Sequence, residues 1–275
     1  MAFTSDVVSI EKNGHVGTLW LDRADKFNAL SPQVWQAIPL ALAELSSDQE
    51  VRVVIFAGRG SHFCVGLDLV ASGLEAKSSQ KAPSEAIANL QQMEFTTAFQ
   101  QAITSLEKCP LPVIAVVQGH CLGAGIDLIT ACDIRLSAAN ANFSVRETRI
   151  GLVADVGTLQ RLPNVISAGH VADLAYTARD IDAARAEKIG LINDVYASFE
   201  ATYAAAQEMA AQIAANPPMA VQGTKFILQQ SQNLTTEQSL LLNGLFTMAT
   251  SLKSNDLRES MAAFVEKRAP NFTGT

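Results

Sequence analysis

The 275-residue chain is long enough to bury a large core and, at about 150 residues per domain, to form one large domain or one domain with an appendage. With 48% hydrophobic and 17% charged residues the composition is that of a globular chain, not a disordered one. A formal net charge of -7 and a pI near 5.1 argue against a nucleic-acid surface, which needs clustered Lys and Arg, and leave any phosphate-bearing ligand dependent on local cations.

Residues 7–11 and 15–21, joined by Asn13-Gly14, predict a β-hairpin, because Asn-Gly is a strong two-residue turn signal. After the polar loop DRADKFN at 22–28, Ser31-Pro32 predicts the capped start of a helix with Val34, Ile38, Leu42 and Leu45 on its apolar face. Pro39 inside that helix should cost about 3 kcal/mol or force a kink. Residues 51–57 read as a buried strand, followed by GRGSHFCVGLDL at 58–69. The Ser-, Lys- and Gly-rich stretch 71–83 reads as a mobile surface loop, and Ser84 opens a long helix to about Lys108.

The central stretch, PVIAVVQGHCLGAGIDLITACD at 112–133, reads as a buried strand at 113–117, a glycine turn, and an apolar helix from Ala124. Residues 109–126 form the longest uncharged run, but two prolines, three glycines, Gln118 and His120 make it a strand and turn and not a membrane span. Strands are expected at 134–138, 143–145 and 191–196, and helices at 168–177 and 183–189. From 199 to 267 nearly everything reads helical, with a break at Asn216-Pro217-Pro218. Alternating strands and helices predict an α/β core over 1–198 built of right-handed crossover units, with a C-terminal helical subdomain at 199–275 that packs back or meets a neighbour.

The glycine turns are where chemistry is expected. A strand, glycine turn and helix start leaves backbone N–H groups unpaired, with partial positive charge, so the turn can cradle an oxygen that is or becomes negative. Asp127 lies in the first helical turn and could equally be a dipole-stabilising charge. A dinucleotide fingerprint is disfavoured, since Gly123 and Gly125 are followed by Leu128 where the pattern has its third glycine. Cys64, Cys109, Cys121 and Cys132 show no CxxC and no metal spacing, and the four histidines are scattered, so reduced, buried cysteines and no metal are expected. Residues 1–10 show no secretory pattern and NFTGT is no peroxisomal address, which leads to the expectation of a cytoplasmic protein without membrane attachment.

Three separated pieces, FCVGLDL at 63–69, GHCLGAGIDLITACDIRLS at 119–137 and ETRIGLVADVGTLQRLP at 147–163, resemble the crotonase, or enoyl-CoA hydratase/isomerase, superfamily. DRADKFNAL at 22–30 and FVEKRAPNF at 264–272 fit the same pattern, so the resemblance covers almost the whole chain. It implies a crotonase-like spiral of repeated β-β-α units with a C-terminal helical trimerisation part. It also implies a homotrimer or a hexamer made as a dimer of trimers, and acyl-CoA substrates. Coenzyme A then enters only as the thioester of the substrate, with no resident cofactor.

The resemblance assigns the oxyanion hole to the N–H groups of Val65 and Ala124. The acids Asp127, Glu147 and Asp155 stand where hydratases typically carry Glu, Glu and Gly, and this set resembles the Δ3,5-Δ2,4-dienoyl-CoA isomerase subfamily. Moving a 3,5-diene to a 2,4-diene removes a proton at C2 and delivers one at C6, too far apart for one short side chain, so two acids are needed. Glu147 is expected as the base at C2 and Asp155 as the acid at C6, with Asp127 polarising the pocket. Cys64, Gly66, Leu67, Asp68 and Gly123 are expected to line the substrate site, with Asp68 more naturally a cap for the turn that follows. Arg23 and Lys26, with Lys267 or Arg268 from another part of the assembly, are candidate partners for the CoA phosphates, beside the plainer reading of solvated surface charge.

Plainer readings stand beside these. Glu147 could be a surface acid and Asp155 an N-cap for a helix at 157–162. The rival activity is an enoyl-CoA hydratase, and a pure acyl-CoA binder is the rival from another class. Nucleic-acid binding is disfavoured because residues 31–48, where some relatives are Lys-rich, contain no Lys or Arg.

Overall fold

The computed structural model describes residues 3–72 and 83–275. The expected loop at 71–83 falls largely outside the described residues. A six-stranded sheet runs in the order β1 (Val8–Asn13), β2 (Val16–Leu21), β3 (Val53–Gly58), β4 (Val113–Val117), β6 (Ile134–Ala138), β9 (Asp194–Tyr196). Only β1 and β2 are antiparallel; every later pair in this sheet is parallel, as crossover units require. A second sheet orders β5 (His120–Leu122), β7 (Asn142–Ser144) and β8 (Ile181–Asp182).

The two faces of β3 explain the layering. Val54 and Phe56 join the large core with α1 (Pro32–Ser47) and α2 (Glu85–Lys108), while Val53, Ile55 and Ala57 pack on the other face. That second face is covered by α7 (Phe199–Ala214) through Ala206, Ala210 and Ala214, small side chains one turn apart that let the helix approach the strands closely. In packing terms α7 therefore belongs to the sheet, although a boundary at 198/199 would give it to the tail. The tail proper starts at Pro218 with α8 (Pro218–Ser231), followed by α9 (Thr236–Ala249) and α10 (Asn255–Glu266). Lys225 docks α8, its Nζ donating to Asp133 Oδ2 at 2.6 Å and to Leu111 O at 2.9 Å.

Several expected elements shift for identifiable reasons. The hairpin turn is Gly14-His15 and not Asn13-Gly14, because Asn13 still pairs with Val16 and Gly14 takes the positive φ of +57°. Ser31 sits at the N-cap of α1, but its hydroxyl is buried and accepts nothing among the described residues; Pro32 at the first helical position starts the helix. Pro39 lies within α1, which runs unbroken from Pro32 to Ser47. The central stretch contains an unexpected strand, β5, between the buried strand and α3 (Ala124–Thr130), paired through Cys121 and Phe143 with β7. All four cysteines are free and buried. No helix among the described residues is long and apolar enough to cross a membrane.

Candidate active site

The chains leaving the ends of β3 and β4 are zipped together. Phe63 N donates to Gln118 O at 2.8 Å, Cys64 N to His120 O at 2.9 Å, and Leu122 N to Cys64 O at 3.0 Å. Gly123 N is taken by Ser144 O at 2.9 Å. Pairing stops there: among the described residues neither Val65 N–H nor Ala124 N–H has an acceptor. Glycine is required at the meeting point. Gly66 has φ +91°, and a Cβ there would lie 2.9 Å from Leu122 O and 3.4 Å from Ala124 N. A Cβ on Gly123 would stand 3.9 Å from Gly66 Cα and 3.5 Å from Glu147 Oε1, so the Glu147 carboxylate faces the same turn.

Asp127, in the first turn of α3, is fully buried. Its Oδ1 accepts a short hydrogen bond from Thr158 N–H, at the start of α4 (Thr158–Arg161), while Oδ2 is buried without a partner among the described residues. Burial pushes its pKa up to about 7; the Glu147 charge adds to the rise, and Thr158 and Arg161 oppose it. Glu147 opens a 3-10 turn, Glu147–Ile150, that Gly151 closes at φ +79°. Burial, and then the charge of Asp155, raise its pKa, and its Oε2 is also buried without a partner among the described residues. Two orphaned, buried carboxylate oxygens beside two orphaned N–H groups are costly for a fold, and they mark a place where ligand chemistry completes the set.

Asp155 is exposed and reaches Glu147 electrostatically. Its carbonyl oxygen accepts from Gln100 Nε2 at 2.7 Å, and it lines a polar cleft of about 500 Å³ with Gln100, Thr104 and Arg161. It is not the cap of α4, a position taken by Gly157 at φ +132°. A larger cleft of about 720 Å³, lined by Arg135, Lys225 and Leu228 among others, contains none of the three acids.

A family model described as enoyl-CoA hydratase/isomerase matches residues 11–275. The chain belongs to the enoyl-CoA hydratase/isomerase family. It is 35% identical to a mitochondrial Δ(3,5)-Δ(2,4)-dienoyl-CoA isomerase of Dictyostelium discoideum, covering 96% of this chain and 90% of the relative. It is 36% identical to the peroxisomal isomerase of that name from Arabidopsis thaliana, covering 98% and 96%. Among solved structures it superposes on an enoyl-CoA hydratase from Bacillus anthracis with a TM-score of 0.88 at 28% identity, covering 98% of this chain and all of that one. The fold is therefore the crotonase fold that the sequence motifs implied.

Within this family site, some expected substrate contacts turn out to be braces. Cys64 is fully buried, its thiol pushed up to about 12 by burial and accepting Gly66 N–H at 3.4 Å, so it supports the turn from behind and offers no surface to substrate. Arg23 is not a free phosphate partner: it donates to Asp68 Oδ2 at 3.1 Å and to Ala29 O at 2.5 Å, tying residues 22–30 to the glycine turn. Asp68 in turn accepts Ala71 N–H at 2.9 Å, which together with Arg23 holds its pKa below the usual carboxylate range, so its carboxylate is engaged in capping the turn. Leu67 is half-buried and bridges Leu30. Lys26 is exposed and in no ion pair among the described residues, so it stays available to an anionic ligand.

Lys267 closes α10 in the left-handed backbone region, at φ +54°. Just beyond it, Phe272 O is held by Arg52 before the start of β3, whereas the glycine turn leaves from the other end of that strand. The residues that sequence reading missed are Thr158, which acts through its backbone, and Arg161, whose signal was a positive charge four residues after Gly157.

Two outcomes follow from this geometry. Gly66→Ala forces a side chain into a left-handed backbone beside Ala124 N, and is expected to lower turnover by about 10²-fold, the cost of one misplaced oxyanion donor, with near-ultraviolet circular dichroism unchanged. For Asp127 the raised value means that between about pH 3.9, the ordinary Asp value, and about 7 the folded state holds a proton that the unfolded chain has lost. Stability therefore falls as pH rises through that window. Asp127→Asn removes this titration, so calorimetry should show the variant melting above the parent at pH 8.5, by roughly 2–4 °C per kcal/mol relieved, and level with it near pH 4.

Proposed function

We propose that the chain isomerises 3,5-dienoyl-CoA to 2,4-dienoyl-CoA. The observation that carries this reading is a third acid, Asp155, close enough to raise the proton affinity of Glu147 beside the two unpaired N–H groups, in a chain whose relatives carry that activity in their names. Glu147 takes the proton from C2. The electron pair left behind spreads over the thioester oxygen, C4 and C6, and the Val65 and Ala124 N–H groups hold the developing oxyanion. Asp155 delivers a proton at C6, and the proton taken up by Glu147 passes back to Asp155 through solvent to close the cycle, so the double bonds move with no net change in atoms or protons and no resident cofactor is called for. Asp127, buried with one free oxygen, polarises the pocket and tunes Glu147.

The same proposal includes assembly as a homotrimer or as a dimer of trimers. Leu240, Leu241, Leu245, Met248, Phe264 and Val265 on α9 and α10 are exposed, an apolar face suited to a second copy, and a neighbour could then bring Lys267 to the CoA phosphates alongside Lys26. A cytoplasmic setting belongs to the proposal too; the relatives above carry mitochondrial and peroxisomal in their names.

The test is an ultraviolet assay with 3,5-octadienoyl-CoA and, in parallel, a 2-enoyl-CoA. Growth of the conjugated 2,4-dienoyl band is expected from the parent chain, with a loss of about 10²-fold or more in Asp155→Asn. Hydration of the 2-enoyl thioester without dienoyl turnover, untouched by Asp155→Asn, would assign the chain to the hydratases instead.

A further inference from the structure

The segment 155–161 does two things at once: it carries Asp155, and it supplies the Thr158 N–H that holds Asp127. What fixes that segment is a polar stripe along α2. Gln100, Thr104 and Glu107 recur at the spacing of one helical face. Gln100 Nε2 donates to Asp155 O at 2.7 Å. Arg161 Nη2 donates to Thr104 Oγ1 at 2.9 Å, and Arg161 Nε to Glu107 Oε2 at 2.9 Å, with Nη2 also 2.8 Å from that oxygen. The Arg161 side chain is only 15% exposed. It fills the space that a side chain at position 157 would need, since a Cβ there would lie 1.8 Å from Nη1. A guanidinium that is anchored to two partners on another helix and sealed against a glycine is a rigid strut.

We propose that Arg161 is a positioning residue: clamped by Thr104 and Glu107, it holds the 155–161 segment so that Thr158 N–H stays on Asp127 and Asp155 stays beside Glu147. The inference rests on the isomerase reading for its activity readout, but not for its titration readout. The charged and titratable groups acting on Asp127 are Glu147 from the 3-10 turn, which disfavours its ionised form, and Arg161 from α4, which favours it. Cys64 and Cys121 are buried thiols close enough to feel its charge. Removing the guanidinium therefore both loosens the segment and leaves Asp127 holding its proton to higher pH.

The experiment compares the parent with Arg161→Met and Arg161→Lys, measuring kcat and KM with 3,5-octadienoyl-CoA across pH, and melting temperature across pH in the absence of substrate. Arg161→Met is expected to lose about 10- to 100-fold in kcat, the scale of a displaced catalytic group, with little change in KM. It should also carry the upper end of the pH window in which stability falls to more alkaline pH, the lower end staying at the unfolded Asp value. Arg161→Lys keeps the charge and loses the fork, so it should restore the position of that window but not the full kcat. If Arg161→Met does not fold, Glu107→Gln loosens the anchor with the arginine in place and should lower kcat without raising KM. A lowered melting temperature in Arg161→Met with kcat and the pH window both unmoved would overturn the inference and leave the arginine a structural brace. Failure of the isomerase reading would look different, as a parent chain inactive on the dienoyl substrate, while the melting curves would still decide the role of Arg161.

Discussion

Val65 and Ala124 each present a peptide N–H that the surrounding backbone pairing stops just short of satisfying. The zipper of Phe63, Cys64 and Leu122 against Gln118, His120 and Cys64 consumes the neighbouring amides, and Gly66 and Gly123 then let two chain turns approach to within van der Waals contact. An amide left without a partner gives up a hydrogen bond that the fold supplies elsewhere, so leaving two of them at one meeting of glycine turns is a feature the sheet, the core and both turns sustain together. In the proposed reaction the return is a donor pair fixed before substrate arrives, the condition under which oxyanion stabilisation gains its strength.

The acids are arranged around that pair by different kinds of support. Asp127 comes from the helix that starts at the hole and is held from across the pocket by the start of α4. Glu147 comes from a short turn after β7 and faces Gly123. Asp155 sits in the open cleft, anchored through its own carbonyl to α2. Burial thus grades the three, from enclosed Asp127 through half-buried Glu147 to exposed Asp155, and it is the leading cause that raises the proton affinities of Asp127 and Glu147. A buried acid that holds its proton near neutrality and an exposed one in contact with solvent can play unlike roles although they share a functional group.

How much of this could be read from the chain depends on the range of the forces involved. The strands at 113–117 and 134–138 and the helix at 168–177 appear where their apolar runs placed them, because burial pattern alone determines them. β5 was hidden, since His120, Cys121 and Leu122 look like part of a glycine turn until β7 pairs with them. The three acids were legible as a set through the resemblance of the motifs around them, at 119–137 and 147–163, to the isomerase subfamily. The pairing of Arg23 with Asp68 spans 45 residues and depends on how two loops meet, so a cation that looked free for phosphate turned out to be a brace. Thr158 was invisible for a deeper reason: its contribution is a backbone N–H, which every residue but proline possesses.

The central claim is that the two glycine turns and Glu147 address the thioester end of one conjugated acyl chain while Asp155 addresses its far end. A crystal structure with a 2,4-dienoyl-CoA bound tests it most directly. The account places the thioester oxygen within about 3.1 Å of both Val65 N and Ala124 N, with C2 beside Glu147 and C6 beside Asp155. A thioester oxygen held by other groups, or an acyl chain leading away from Asp155, would contradict it.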